Sequence, residues 1–145
     1  PAAAPALSEP RVREFFDRYL QAWNDHDGPA AAAHMADDAM YEDVAAAQVR
    51  RGRDEIASWV AEGTGFSSDL HLEAVTFFYL GSAFAVEWVM SGTNDGPVGG
   101  QPATGRPWRV RGASVGTLNA EGLIAENRDY WNMAEVFAQI GLTQA

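Results

Sequence analysis

Between Val12 and Trp23 the apolar residues Val12, Phe15, Phe16, Tyr19, Leu20 and Trp23 recur three and four positions apart. That spacing puts them on one stripe of an α-helix, with Arg13, Asp17, Arg18 and Gln21 on the solvent side. Ser8 is placed to cap this helix and Pro10 to sit in its opening turn. A polar run from Asn24 to Gly28 breaks the pattern. Pro29 opens a second, Ala-rich helix that ends near Met35, and Ala39 to Asp43 reads as a short strand. After Gly52 a third helix carries Ile56, Trp59 and Val60 inward, and the glycines from Gly63 to Gly65 stop it.

The second half changes period. Leu70 to Leu80, Ala83 to Thr93, Trp108 to Leu118 and Leu123 to Trp131 are long and rich in β-formers, joined as two hairpins at Gly81-Ser82 and Ala120–Gly122. Asn94 to Pro107 is a Gly/Pro-rich loop, and a last short helix spans Met133 to Ile140. Helices followed by a meander of antiparallel strands make an α+β order.

Strand parity sorts the side chains of the meander. Phe84, Val86, Trp88 and Met90 share a face in one strand. Trp108, Val110, Gly112, Ser114 and Gly116 share one in the next, and Ala125, Asn127, Asp129 and Trp131 in the last, opposite Ile124, Glu126, Arg128 and Tyr130. One sheet face is therefore aromatic and apolar with a single carboxylate on it. The other mixes Glu87, Arg109, Arg111, Glu126, Arg128 and Tyr130, as either a solvated surface or a polar interface between two copies.

With 145 residues, 47% of them hydrophobic, the chain has the size of one domain with its own core, 11–145, behind an Ala/Pro-rich tail, 1–10. It has no Cys, which excludes disulfides and thiolate chemistry, and its ten basic residues are all Arg, which excludes a lysine Schiff base. A net charge of −10 repels nucleic-acid backbones and anionic membranes. The tail lacks the basic and apolar regions of an intact signal peptide, so a cytoplasmic protein is expected.

Two carboxylates are candidates for chemistry. Asp43 ends the Tyr41-Glu42-Asp43 strand between apolar segments, and Asp129 lies on the apolar face of the last strand. Burying a carboxylate costs several kcal/mol unless it is hydrogen-bonded or protonated, so each is either a tethered structural residue or a group with a raised pKa. Asp37 and Asp38 fall at a helix end and are expected in solvent. Tyr19, on the buried stripe, is either a tethered core residue or a hydroxyl donor to a substrate oxygen. Trp23, Trp59, Trp88, Trp108 and Trp131 suffice to line an aromatic cavity. His26, His34 and His71 have no metal-ligand spacing, so no metal is expected. No serine sits in a nucleophile elbow. Glycines 96, 99, 100 and 105 match no phosphate-binding fingerprint and read as turn residues, or a mobile lip over a cavity.

These residues resemble a known family. From Val12 to Leu142 the chain is similar to the SnoaL-like branch of the nuclear-transport-factor-2-like superfamily. Arg18-Tyr19, the stretch from Ala36 to Asp43, and Arg51-Gly52-Arg53-Asp54-Glu55-Ile56 resemble ketosteroid isomerase. There the residue matching Asp43 is the general base and that matching Tyr19 donates to the oxyanion. That family's second, protonated acid falls at Ser114 here. Arg128-Asp129-Tyr130-Trp131 resembles limonene epoxide hydrolase. In that family the aspartate matching Asp129 activates water, a Tyr and an Asn match Tyr41 and Asp43, and an Arg and an Asp stand where this chain has Trp88 and Met90. Gln139-Ile140-Gly141-Leu142 resembles the C-terminal signature of SnoaL-like polyketide cyclases, which close rings by an intramolecular aldol step without a cofactor.

The resemblance implies a cone-shaped fold in which a curved, mostly antiparallel sheet and three N-terminal helices enclose a pocket. It implies a cofactor-independent acid–base enzyme acting on a hydrophobic carbonyl compound, with Asp43, Asp129 and Tyr19 catalytic. Tyr41, Trp23, Trp59, Phe84, Trp88, Met90, Trp108, Ser114, Asn127 and Trp131 would contact the substrate, and Ser114 is a candidate second oxyanion donor. A homodimer is also implied. Epoxide opening led by Asp129 with Tyr41 assisting, and ligand binding without catalysis, are the alternatives on the same scaffold.

Overall fold

A computed structural model of the chain describes residues 9–142. Its elements are α1 (Glu9–Asn24), α2 (Gly28–Ala32), β1 (Met35–Asp43), β2 (Gln48–Arg51), α3 (Gly52–Phe66), β3 (His71–Leu80), β4 (Ala83–Thr93), β5 (Pro107–Leu118), β6 (Ile124–Trp131) and α4 (Met133–Ile140). The expected cap at Ser8 and most of the tail lie outside the described residues. One six-stranded sheet runs in the order β2-β1-β6-β5-β4-β3. Every neighbouring pair is antiparallel except β1 and β6. The α+β architecture with a mostly antiparallel sheet is thus observed.

The apolar stripe of α1 is buried as its spacing requires, with Phe16 against Phe84 at 4.5 Å between ring centroids. α1 packs on β3, α3 on β1 and α2, and α4 on β5. Two side chains dock these layers by imitating a strand's hydrogen bonds. Asn24, after the α1 stripe, donates to the Leu72 carbonyl at 2.9 Å and accepts from the Leu72 amide at 2.7 Å. Gln139 of α4 does the same to Arg109, at 2.8 and 2.7 Å. Among the described residues no helix is long and apolar enough to cross a membrane.

Five features differ from the sequence reading. The Ala-rich helix stops at Ala32, because the main chain from His34 onward pairs with the last strand: Ile124 donates to the His34 carbonyl at 3.0 Å, and Met35 is in register with Ile124. β1 is therefore four residues longer than expected. Asp37 and Asp38 lie on a bulge of this strand rather than at a helix end, exposed as expected, with Asp37 paired to Arg53 at 2.6 Å. β2 had no alternating apolar signal and owes its existence to pairing with β1. α3 runs through Gly63 and Gly65 to Phe66, since Gly63 packs beneath Leu70 and Trp23 instead of ending the helix. In β6 a register shift at Thr117/Leu118 turns Ile124 inward, fully buried, where strict alternation had put it outside.

The segment 94–106 is an ordered structure. Asn94, fully buried, accepts from the Thr104 amide at 2.9 Å and hydroxyl at 3.0 Å and donates to the Gly96 carbonyl at 2.8 Å. At Gly96 the loop touches the end of α3, where a Cβ would stand 1.7 Å from the Gly65 carbonyl oxygen. Val98 and Gln101 then exchange both main-chain hydrogen bonds across Gly99-Gly100, whose φ angles of 55° and 77° suit a two-residue turn of the primed type.

Candidate active site

The concave face of the sheet, α1, α3, α4 and the tip of the 94–106 loop enclose a cavity of about 610 Å3, within the usual range for small-ligand sites. All five tryptophans of the chain line it. So do Tyr19, Tyr41, Asp43, Met90, Ser114 and Asp129. Two residues expected to contact substrate, Phe84 and Asn127, do not line this cavity. Phe84 is packed into the core against Phe16, and Asn127 lies buried behind Asp129. The loop glycines are partly a lip, as Gly99 lines the cavity with Pro97 and Val98, but this lip is tied down through Asn94 and Gly96.

The two carboxylates come from register partners. Asp43 on β1 stands opposite Asp129 on β6, just as Tyr41 stands opposite Asn127. Neighbours in register on paired strands project from the same face, so both acids enter the cavity side by side, 5% and 8% exposed. Asp129 accepts from the Tyr41 hydroxyl on Oδ2, and on Oδ1 from the Ser114 hydroxyl at 2.5 Å and the Asn127 amide at 2.9 Å. Ser114 in turn accepts from the Trp88 indole N–H at 2.8 Å. With the indole N–H on one of its lone pairs, the hydroxyl gives its own proton to Asp129. Ser114 is thus a support for the carboxylate, and the expectation that it donates to a substrate oxyanion does not fit its geometry. Gly112, next to Trp88 in register, makes the chain possible: a Cβ there would stand 2.4 Å from Trp88 Cη2.

Asp43 is held differently. The Trp131 indole N–H spans both its oxygens, at 3.1 and 3.0 Å, and the Ala46 amide donates to Oδ1 at 2.9 Å. Burial raises the pKa of both acids. For Asp129 it outweighs the donors from Ser114, Tyr41 and Asn127 and sets the value at about 6, with the nearby Asp43 charge adding to the rise. For Asp43 burial again leads, opposed by the Ala46 amide and the Trp131 indole. Burial and then the Asp129 charge push the Tyr19 and Tyr41 hydroxyls well up, so both remain donors at any ordinary pH. The Tyr41 proton is taken by Asp129. The Tyr19 proton finds no acceptor among the described residues, and Tyr19 lines the cavity.

The remaining aromatic positions are also fixed from outside the cavity. Trp108 donates to Ser67 Oγ at 2.8 Å, and Trp59 lies beneath the Arg50 guanidinium, 5.0 Å from the ring centre. None of the three histidines lines the cavity, though the His34 ring packs behind Tyr19, 5.6 Å between ring centres. His26 bonds the Leu70 carbonyl at 2.8 Å, His34 the Ala30 carbonyl at 3.0 Å, and His71 is exposed on β3. Sequence reasoning missed Phe66, Leu70, Leu72, Glu62 and the α4 residues Met133, Val136 and Phe137 as cavity walls. The apolar spacing of α4 was readable, but the surface it covers was not.

The profile of the SnoaL-like domain family matches residues 16–127. The chain belongs to this family. Among solved structures, it is 25% identical to a hypothetical protein of ketosteroid isomerase-like fold from Catenulispora acidiphila, solved in complex with trimethylamine, over 89% of this chain and 93% of that one, with a TM-score of 0.78. It is 19% identical to a protein described as a SnoaL-like polyketide cyclase from a Jannaschia species, over 97% and 99%, with a TM-score of 0.81. It is 22% identical to an epoxide hydrolase/cyclase-like enzyme described in pyran ring formation in the polyether salinomycin, over 88% and 95%, with a TM-score of 0.74. No curated protein matches the chain at a significant level.

The raised pKa of Asp129 has a definite sign in stability. A carboxyl that holds its proton more tightly when folded contributes stability fully present below about pH 4, its ordinary range, and lost as pH rises through 6. The difference between 3.8 and about 6 amounts to about 3 kcal/mol. Urea melts from pH 4 to 7 should therefore show the wild type losing up to about 3 kcal/mol relative to Asp129→Asn. Parallel profiles for the two proteins would mean that Asp129 titrates as an ordinary surface carboxylate.

Proposed function

We propose that this SnoaL-like protein is a cofactor-independent acid–base enzyme acting on a hydrophobic carbonyl compound, as an isomerase or an aldol ring-closing cyclase. The observation that carries this reading is the placement of Asp43 and Asp129 side by side in an aromatic cavity that also receives the free hydroxyl proton of Tyr19. Asp43 takes a proton from the carbon next to the substrate carbonyl. The electrons of that C–H bond move into the carbonyl, and the resulting enolate oxygen accepts a hydrogen bond from Tyr19. In isomerisation Asp43 returns the proton to a different carbon. In ring closure the enolate carbon attacks a second carbonyl, and the new alkoxide takes a proton from Asp129 in its acid form. A pKa of about 6 suits a group that must both hold and release a proton near neutrality. With a confirmed substrate, Asp43→Asn should lower kcat by about 10²–10⁴-fold, and Tyr19→Phe by about 10²–10³-fold. Near-wild-type kcat in both variants would refute this mechanism.

A second reading, epoxide opening, is favoured by the donor set on Asp129. Tyr41, Ser114 and Asn127 hold the carboxylate as an acceptor, and Oδ2, which takes only the Tyr41 hydroxyl, keeps a lone pair for a proton from water or from a substrate hydroxyl that attacks the epoxide. The salinomycin neighbour is described as epoxide hydrolase/cyclase-like. A panel of terpenoid and aromatic epoxides separates the readings. Turnover abolished in Asp129→Asn yet little changed in Tyr19→Phe is the outcome expected of epoxide opening alone.

A homodimer remains part of the proposal. The outer sheet face carries Phe78 and Leu80, 65% and 84% exposed, with Tyr130 and the Glu42–Arg128 pair. Two copies meeting there would give light scattering a mass of twice 15.7 kDa, and Phe78→Asp should return it to the single-chain value. A monomeric wild type would exclude this.

A further inference from the structure

The charge of the cavity wall is one-sided. Three carboxylates line it, Asp43, Asp129 and Glu62, and among the described residues no Arg or His does. Glu62 is already paired, with Arg50 at 2.8 Å, and that guanidinium lies against Trp59. Among the described residues, Asp43 and Asp129 have hydrogen-bond donors but no cation. Their donors are all neutral, so once ionised the two neighbouring acids leave uncompensated negative charge in a hollow walled by indole rings. Neutral donors orient a carboxylate but do not cancel its charge, and a nearby opposite charge stabilises the ionised form. Tyr19, more than nine-tenths buried, presents a hydroxyl proton that has no acceptor among the described residues. The cavity thus lacks two things that a ligand would bring: a positive charge and an oxygen acceptor.

We infer that the substrate class of this site is an apolar compound that carries a cationic nitrogen together with a carbonyl or hydroxyl oxygen, the nitrogen lying by Asp43 and Asp129 and the oxygen at Tyr19. This rests on reading the cavity as the substrate site and adds the sign of the substrate's charge. The net charge of −10 draws such a molecule to the protein from solution. The Arg50–Trp59 stack shows the same pairing of cation, indole and carboxylate made within the chain at the rim of this cavity.

Calorimetric titration of 3-hydroxyphenyltrimethylammonium and of 3-tert-butylphenol tests the inference, because the two differ in charge and hardly in shape. The cation should bind at least about tenfold tighter. Asp43→Asn and Asp129→Asn should each erase most of that preference while the phenol's affinity changes by less than about twofold. Equal or tighter binding of the neutral phenol by the wild type would overturn the inference, and this comparison stands even if a variant fails to fold. So would a cation preference that survives in both variants. If the phenol wins while Asp43→Asn still abolishes turnover of a neutral carbonyl compound, the charge assignment falls and the acid–base reading stands. A cation preference beside unimpaired turnover in Asp43→Asn gives the reverse.

Discussion

The parallel pairing of β1 with β6 is the constraint on which the site depends. These strands are more than eighty residues apart in sequence, and their register sets Tyr41 beside Asn127 and Asp43 beside Asp129. A slip of one residue would turn one member of each pair to the opposite face of the sheet. Asp129 would then lose the Tyr41 hydroxyl, and Asp43 the Trp131 indole. Register is held at both ends of the pairing, by Met35 against Ile124 and by the Val44 amide donating to the Asp129 carbonyl at 3.0 Å.

The sheet does more than carry the acids. Ser114 of β5 faces Asp129 in register, and Trp88 of β4 faces Gly112 and reaches Ser114 over the space that glycine leaves. Four adjacent strands therefore contribute to one hydrogen-bonded unit running from the Trp88 indole through Ser114 to Asp129 and on to Tyr41. Each donor in it is neutral. The unit orients the carboxylate without neutralising it, which is why burial still leads and its pKa stays raised. Shape and charge are thus handled separately: aromatic rings make the hollow, and the strands decide where the acidity sits within it.

Helix docking closes the same hollow. Asn24 and Gln139 tie α1 and α4 to strand main chains, and Gly96 ties the 94–106 loop to α3. These contacts bring Tyr19, the α4 apolar face and the loop tip to the cavity wall. The loop's glycines read in the sequence as turn residues or as a mobile lip, because glycine marks turns, hinges and close approaches alike. Here Gly96 is a close approach.

Read alone, the sequence settles the type of every element but β2, the four long strands, the inward face of α1, and Asp43, Asp129 and Tyr19 as polar groups on buried faces. Local periodicity is enough for that, since a side chain's face follows from its parity within its own element. The extent of β1, the existence of β2, the inward turn of Ile124 and the service of Ser114 to Asp129 were decided only by the tertiary structure. Each depends on a hydrogen bond or a register between distant segments, and no local pattern encodes a partner's position. The convergence of all five tryptophans on one cavity belongs to the same class: periodicity places each on a buried face, and only packing makes those faces meet.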